Sequence, residues 1–348
     1  MSEPAITHAP QPVPAPASLI RGRAWLRAFA GIGIWLPAHL ALEPGWALGL
    51  LWLGALVHVP LALGMILTGQ DRHSPTARLL GFAAWAQLPA ALLLMVAFSA
   101  EPAGIWLALP WIALTGLCGA AGAWRLVALG LRRAGALADW GLVLFTVSGA
   151  WTGAAALRWQ AFGFPEVIVL LAGVHQLYAG LVLQVVAWRV VARFGERRIP
   201  GAVGVCVSLG NLLVAAGITA SHLGAPGWFE ACCAFFYAGC VIVLGWMQLY
   251  HALRPGSGLP PASRVLLVVA DLSLGTAMTL AIIFAWGVWR GYPTQTVPEM
   301  ITWHGTLNAF GFGLCALVGW MLSVGSSLGV PADGVASGLR PESRPGGP

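Results

Sequence analysis

The sequence predicts an all-α fold, a bundle of about ten helices that crosses a membrane. Hydrophobic residues make up 58% of the 348 residues and charged residues only 9%, and the mean hydropathy is +0.80. A soluble domain carries about 25% charged residues, so this chain has too few to cover a water-facing surface. The apolar residues also fall into long runs, and the arginines lie between them. The protein is therefore predicted to be a multi-pass membrane protein.

Ten apolar segments are long enough to cross a bilayer, because about 20 residues at a rise of about 1.5 Å span about 30 Å of hydrocarbon. They lie at 24–42, 46–68, 78–99, 104–124, 139–158, 166–188, 202–222, 228–250, 265–289 and 300–324. The Pro- and Ala-rich residues 1–20 and the Pro-, Gly- and Ser-rich residues 327–348 have the composition of disordered tails. Residues 21–326 form the predicted transmembrane domain.

The distribution of arginine predicts the orientation. All eighteen basic residues are arginine, and with ten spans sixteen of them fall on the side that holds both termini. Only Arg158 and Arg290 fall on the other side. Basic residues concentrate in cytoplasmic loops, so both termini are predicted to be cytoplasmic. The same placement explains the net charge of +6 without a nucleic-acid partner. The expected partner is the lipid bilayer.

Polar side chains inside the apolar segments are the candidate functional residues, because lipid offers them no hydrogen-bond partner and they usually face the bundle interior. Most of them fall at the centre or in the outer half of the predicted bundle, which suggests a polar cavity that opens outward. We expect a substrate or ion site built from these residues: His58, His175, Gln176, Tyr178, Asn211, Asp271, His304 and Asn308. The alternative is that they serve only as hydrogen-bonded contacts between helices.

The sixth and tenth spans hold the densest polar patterns. In the tenth, His304, Asn308, Gly311 and Cys315 recur at steps of four, three and four, which places them on one face of an α-helix. In the sixth, His175 and Tyr178 share a face within GVHQLYAG. Spans six and ten are therefore predicted to face each other across the site.

Two segments resemble the YndJ-like family of bacterial membrane proteins. PEMITWHGTLNAFGFGLCALVGW is similar to that family's Thr/Trp-His-Gly-x-Leu-Asn-Ala-x-Gly-Phe segment, and GVHQLYAG is similar to its His-Phe-His-Tyr-Ala-Gly segment. The matching positions are His304, Gly305, Asn308 and Gly311, and His175, Tyr178, Ala179 and Gly180. Leu177 stands where the family pattern has a second histidine, and Gln176 replaces an aromatic residue. The resemblance implies a transporter-like protein of the bacterial cytoplasmic membrane.

Three functions remain open at this point. The first is a transporter for a small molecule or an ion, because short loops and prolines within the spans are typical of helices that line a path. The second is a haem or transition-metal protein with His58, His175 and His304 as candidate ligands. The third is a non-catalytic scaffold or sensor. Soluble-enzyme motifs such as the Walker A sequence and Gly-x-Ser-x-Gly are absent, so we do not expect an enzyme.

Overall fold

The structure is a computed structural model that describes residues 17–71, 73–100, 104–195, 197–292 and 294–323. The described residues form ten long helices joined by short connections. Their bounds are α1 Ala17–Leu42, α2 Trp46–Thr68, α3 Pro75–Ala97, α4 Gly104–Leu129, α5 Ala136–Ala156, α6 Glu166–Arg193, α7 Arg198–His222, α8 Gly227–Leu253, α9 Pro261–Arg290 and α10 Val297–Ser323. These helices confirm the all-α prediction.

The predicted spans and the observed helices agree closely. In the described part of the chain, nine helices are long and apolar enough to cross a membrane, and α5 is the long helix that is not among them. Its 21 residues suffice in length, but Asp139 and several small polar residues lower its hydropathy. The first helix begins at Ala17, inside the predicted N-terminal arm. Residues 1–16 and the predicted tail 327–348 lie outside the described residues.

The one acidic residue of α5 has a structural role. Asp139 is 1% exposed, and its Oδ1 accepts a hydrogen bond from Arg125 Nε of α4 at 2.7 Å. Arg133, in the connection between the two helices, binds the other carboxylate oxygen. Because a buried charge is costly unless it is paired, this ion-paired group holds α4 and α5 together at one end.

The second helix occupies the centre of the bundle. In the most apolar 18-residue stretch of α2, 94% is buried inside the protein. The corresponding stretches of the other eight candidate spans in the described residues are 17–50% buried. A helix that is apolar on all sides is stable when protein surrounds it, and α2 packs against α1, α3, α6 and α10. Large apolar residues on the outer helices, such as Phe29 of α1 and Trp85 of α3, are exposed. This distribution suits a lipid-facing surface.

Three helices depart from regular α-helical geometry at their centres. The π-helical segments are Gly54–His58 in α2, Gln176–Val182 in α6, and Ile301–Gly305 and Leu307–Leu314 in α10. In them a backbone N–H reaches back five residues, as from Leu183 to the carbonyl of Tyr178. Such segments are rare and often occur at functional sites. The wider turns change which side chains share a face, and this decides the geometry of the site.

Candidate functional site

The π-helical parts of α2, α6 and α10 meet in the middle of the bundle. His58 of α2 is fully buried, and its Nε2 donates to the carbonyl of Ala309 in α10 at 2.9 Å. Tyr178 of α6 donates its hydroxyl to the carbonyl of Leu50 in α2 at 3.0 Å. The His58 and Tyr178 rings contact each other edge to face with centroids 5.0 Å apart. Side chains therefore join the three helices through backbone carbonyls.

Glycine makes these close approaches possible. A β-carbon at Gly54 would lie 2.6 Å from Leu177 Cδ2, so the buried Leu177 side chain would have to move for α2 and α6 to stay as close with a larger residue. A β-carbon at Gly313 would lie 3.2 Å from His58 Nε2 and 3.0 Å from the carbonyl oxygen of Asn308. Small residues at such contacts are typical of packed membrane helices.

A cavity of about 530 Å³ lies beside this junction, between α6, α7, α8, α9 and α10. It occupies the end of the bundle that the arginine distribution predicts to be outer, since Thr219, Val288 and Val297 at that end line it. Most of its wall is apolar. The polar residues that line it are His175, Gln176, Tyr178, Thr219, Glu230, Tyr237, His304 and Asn308.

His304 is held by the backbone of a neighbouring helix. Its Nδ1–H donates to the carbonyl of Ala277 in α9 at 2.8 Å. A neutral imidazole then carries its lone pair on Nε2, and within the described residues this nitrogen has no hydrogen-bond partner. Asn308 donates from Nδ2 to the carbonyl of His304 at 2.9 Å, which leaves its Oδ1 without a partner in the same part of the chain.

His175 is held by a side-chain network. Its Nε2–H donates to Asn211 Oδ1 at 3.1 Å, and Asn211 Nδ2 donates to Gln176 Oε1 at 3.0 Å. The lone pair of the neutral ring therefore lies on Nδ1. His175 and His304 are close enough to interact electrostatically. His175 and His304 therefore each keep one acceptor nitrogen that bonds to no described residue.

The predicted stripe on α10 lies between the cavity and α9. His304 and Asn308 line the cavity, and Phe312 follows them there. Gly311 packs against Ser273 of α9, one turn along that helix from Ala277, whose carbonyl accepts from His304. The Cys315 thiol lies 3.4 Å from the carbonyl of Phe310 within α10.

The eight predicted site residues occupy three places. Those that line the cavity are His175, Gln176, Tyr178, His304 and Asn308. His58 and Asn211 are fully buried and contact cavity-lining residues from behind. Asp271 belongs to another network, in which Gln248 Nε2 donates to Asp271 Oδ1 at 2.9 Å and Trp320 Nε1 donates to Gln248 Oε1 at 2.9 Å.

Three further polar residues line the cavity. Thr219 donates its hydroxyl within α7 to the carbonyl of Ala215 at 2.8 Å, and the other two lie on α8. Glu230 of α8 lines the cavity wall near the predicted outer end of that helix. Tyr237 lines the wall two helical turns further along α8, and its buried hydroxyl has no partner in the described structure. The sequence could have indicated Glu230 and Tyr237 as polar residues inside an apolar span. Only the packing of α8 against α6 and α7 brings them to the cavity.

The three histidines differ in their ability to bind a metal or a haem. Both ring nitrogens of His58 face backbone carbonyls, Ala309 at 2.9 Å and Leu53 at 3.4 Å, so neither is available. His175 and His304 each keep one acceptor nitrogen and could serve as a pair of ligands. The described residues contain no group of three or more His, Cys, Asp or Glu side chains that could hold a metal ion.

Comparison with known proteins places the chain in a family. The model of the family described as YndJ-like protein matches residues 49–312, which include the cavity-lining segments of α6 and α10. The chain is similar to the uncharacterized membrane protein YndJ of Bacillus subtilis (strain 168), with 26% identity over 185 residues. That match covers 52% of this chain and 32% of the relative, so the chain spans about a third of the relative's length. No solved structure matches. With three quarters of the chain inside the family match, this multi-pass membrane protein belongs to the YndJ-like family.

Proposed function

We propose that this protein binds a small, largely apolar molecule in the cavity between α6 and α10 and carries it across the bacterial cytoplasmic membrane. One observation supports the proposal above all others. His175 and His304 keep unused acceptor nitrogens on side chains that line a mostly apolar cavity. The volume, about 530 Å³, falls in the usual range of small-molecule sites, about 300–1,000 Å³.

The chemistry of the unused atoms indicates what the ligand carries. His175 Nδ1, His304 Nε2 and Asn308 Oδ1 all accept hydrogen bonds, and the Glu230 carboxylate accepts them as well. A ligand that matches them has a donor group, such as a hydroxyl or a cationic N–H group, on a hydrocarbon body. A carboxylate head could accept from the unpartnered Tyr237 hydroxyl, but it would leave these four acceptors unsatisfied.

Binding is tested on the purified full-length protein with probes that share an eight-carbon body and differ in the head group. The probes are octylguanidinium, octanol, octanoate and octane. We expect octylguanidinium and octanol to raise the midpoint of thermal unfolding, and octanoate and octane to leave it unchanged. His304→Ala should abolish the shift. His73→Ala, an exposed histidine outside the cavity, is the matched control.

Transport is tested with radiolabelled octylguanidinium, whose permanent charge limits its passive passage through lipid. Proteoliposomes with the unmodified protein should accumulate the probe, and those with His304→Ala should not. Binding without uptake would contradict transport and would favour a sensor. Equal thermal shifts from all four probes, in the unmodified protein and in His304→Ala alike, would show that the cavity does not recognise a head group.

A haem or transition-metal protein is the second candidate, because the two free imidazole nitrogens could form an axial pair. Titration of the full-length protein with haemin or Zn²⁺ tests it. Stoichiometric binding that disappears in both His175→Ala and His304→Ala would favour this candidate. The absence of saturable binding would remove it.

A further inference from the structure

The end of the bundle opposite the cavity holds a second group of polar side chains, arranged around Trp320. The guanidinium carbons of Arg189 and Arg193 lie 5.6 and 5.5 Å from the centre of the Trp320 ring. His251 stacks on that ring with centroids 5.8 Å apart and an angle of 12° between the planes. Arg254 and Arg264 are close enough for their charges to act on His251. We call these six residues the Trp320 cluster.

The cluster concentrates positive charge between helices, and no described carboxylate neutralises it. In the described ranges of the chain, none of its four arginines forms an ion pair with a carboxylate. Arg125 and Arg133, at the same predicted side of the membrane, share Asp139 instead. Arg125 and Arg133 are therefore paired with a carboxylate within the protein, whereas the arginines of the Trp320 cluster are available to an external anion.

Unused hydrogen-bond donors lie in the same place. Nε of Arg189, Nε of Arg264 and Nε2 of His251 are buried and have no partner among the described residues. Buried polar atoms normally have partners, so such a group needs an explanation. An oxyanion that accepts from several donors at once supplies one.

We propose that the Trp320 cluster binds a phosphate group, carried by an anionic phospholipid or by a free phosphate anion. Guanidinium groups match phosphate in geometry and charge. Stacking on Trp320 restricts Arg189 and Arg193 before any ligand binds. The cluster lies at the predicted inner end of α6, α8 and α9, where basic pockets between membrane helices meet the phosphates of anionic lipids. This proposal does not depend on the function of the cavity.

The test measures thermal unfolding of the full-length protein in detergent with two additions, dioleoylphosphatidylglycerol and inorganic phosphate, against dioleoylphosphatidylcholine at the same concentration. We expect phosphatidylglycerol to raise the midpoint in a saturable way. The double variant Arg189→Gln/Arg193→Gln should bind it roughly 25-fold more weakly, since each basic residue near an anionic surface contributes about fivefold. Arg197→Gln/Arg198→Gln removes the same charge from exposed positions at the same end, outside the cluster, and should weaken binding much less.

The two sources of phosphate are distinguished by the additions. A shift with phosphatidylglycerol alone identifies a lipid headgroup, and a shift with inorganic phosphate as well identifies a free anion. Equal weakening by both double variants would overturn the proposal, as would equal shifts with both lipids. If Arg189→Gln/Arg193→Gln does not fold, Arg254→Gln, at an exposed position of the cluster, is expected to weaken binding about fivefold, and an unchanged affinity would overturn the proposal.

Discussion

Two polar regions of this bundle use similar side chains in different ways. Between α2, α6 and α10 the backbone is π-helical, and His58 and Tyr178 donate to backbone carbonyls. Between α8, α9 and the end of α10 the backbone is regular, and Gln248 bonds to two other side chains, Asp271 and Trp320. The Ala309 carbonyl lies in the π-helical part of α10, whereas the Leu50 carbonyl lies in the regular first part of α2. Of the two donors, Tyr178 lines the cavity and His58 lies behind it. The first region thus joins its three helices through backbone carbonyls beside a cavity, and the second joins its helices through paired side chains.

The largest expected difference between the regions is in stability. Gln248→Ala leaves buried Trp320 Nε1 and Asp271 Oδ1 without partners and should lower the free energy of unfolding by about 2–4 kcal/mol. Asn211→Ala also removes two hydrogen bonds, but both partners, His175 and Gln176, line the cavity, where water can replace the bonds. We expect a loss of about 1 kcal/mol there. Chemical unfolding in detergent measures both, and equal losses would contradict the distinction.

The second largest effect on stability is expected where α2 and α10 pack at their π-helical parts. Gly313→Ala places a β-carbon against His58 and the carbonyl of Asn308 and should destabilise the protein by about 1–3 kcal/mol, as overpacking does. The control is Gly239→Ala in α8, where the new β-carbon meets no atom within 4 Å. Alanine favours a helix over glycine by up to about 1 kcal/mol, so this variant should be unchanged or more stable. Equal midpoints of thermal unfolding for the two variants would rule out tight packing between α2 and α10 at this position.

The electrostatic part of the cavity is tested by Glu230→Gln. If the carboxylate faces the bound head group, the variant should bind octylguanidinium about tenfold more weakly, which corresponds to about 1.4 kcal/mol. Its affinity for uncharged octanol should hardly change. Glu166→Gln removes an exposed carboxylate outside the cavity and should affect neither probe. Calorimetric titration of the three proteins measures the affinities, and an unchanged affinity of Glu230→Gln for octylguanidinium would exclude this contact.

The smallest expected effect comes from a single hydrogen bond. Tyr178→Phe removes the bond to the carbonyl of Leu50 and keeps the ring against His58, so it should cost about 0.6 kcal/mol, the average for such bonds between membrane helices. Tyr292→Phe, at an exposed position, should leave unfolding unchanged. A loss of several kcal/mol in Tyr178→Phe would show that the bond is essential to the junction.

Particular residues show how far sequence reasoning reached. The run from Trp46 to Thr68 was predicted with both bounds correct, because hydropathy and length alone mark a helix that must lie out of water. The pairing of α6 and α10 around His175 and His304 followed from the rule that polar groups avoid lipid, and both residues line the cavity. The orientation of the termini stays a prediction based on the arginines.

The same reasoning failed where it needed backbone detail. Gly311 packs on α9 as His304 does, but Phe312 and not Gly311 follows Asn308 along the cavity wall. Glu230 and Tyr237 were not among the predicted site residues, because depth along one helix does not indicate which neighbour that helix faces. Neither the π-helical turns nor the contacts of α8 leave a periodic signal in the sequence.

The amino-acid sequence by itself determined that this is a helical membrane protein, which stretches of the chain lie in its long helices, and which polar residues must avoid lipid. It did so because transfer from water to hydrocarbon depends on composition summed over about 20 residues. Only the tertiary structure decided which nitrogen of each histidine is occupied and which polar atoms share a cavity. Hydrogen bonds act over about 3 Å, and residues from distant parts of the chain come that close only after the helices pack.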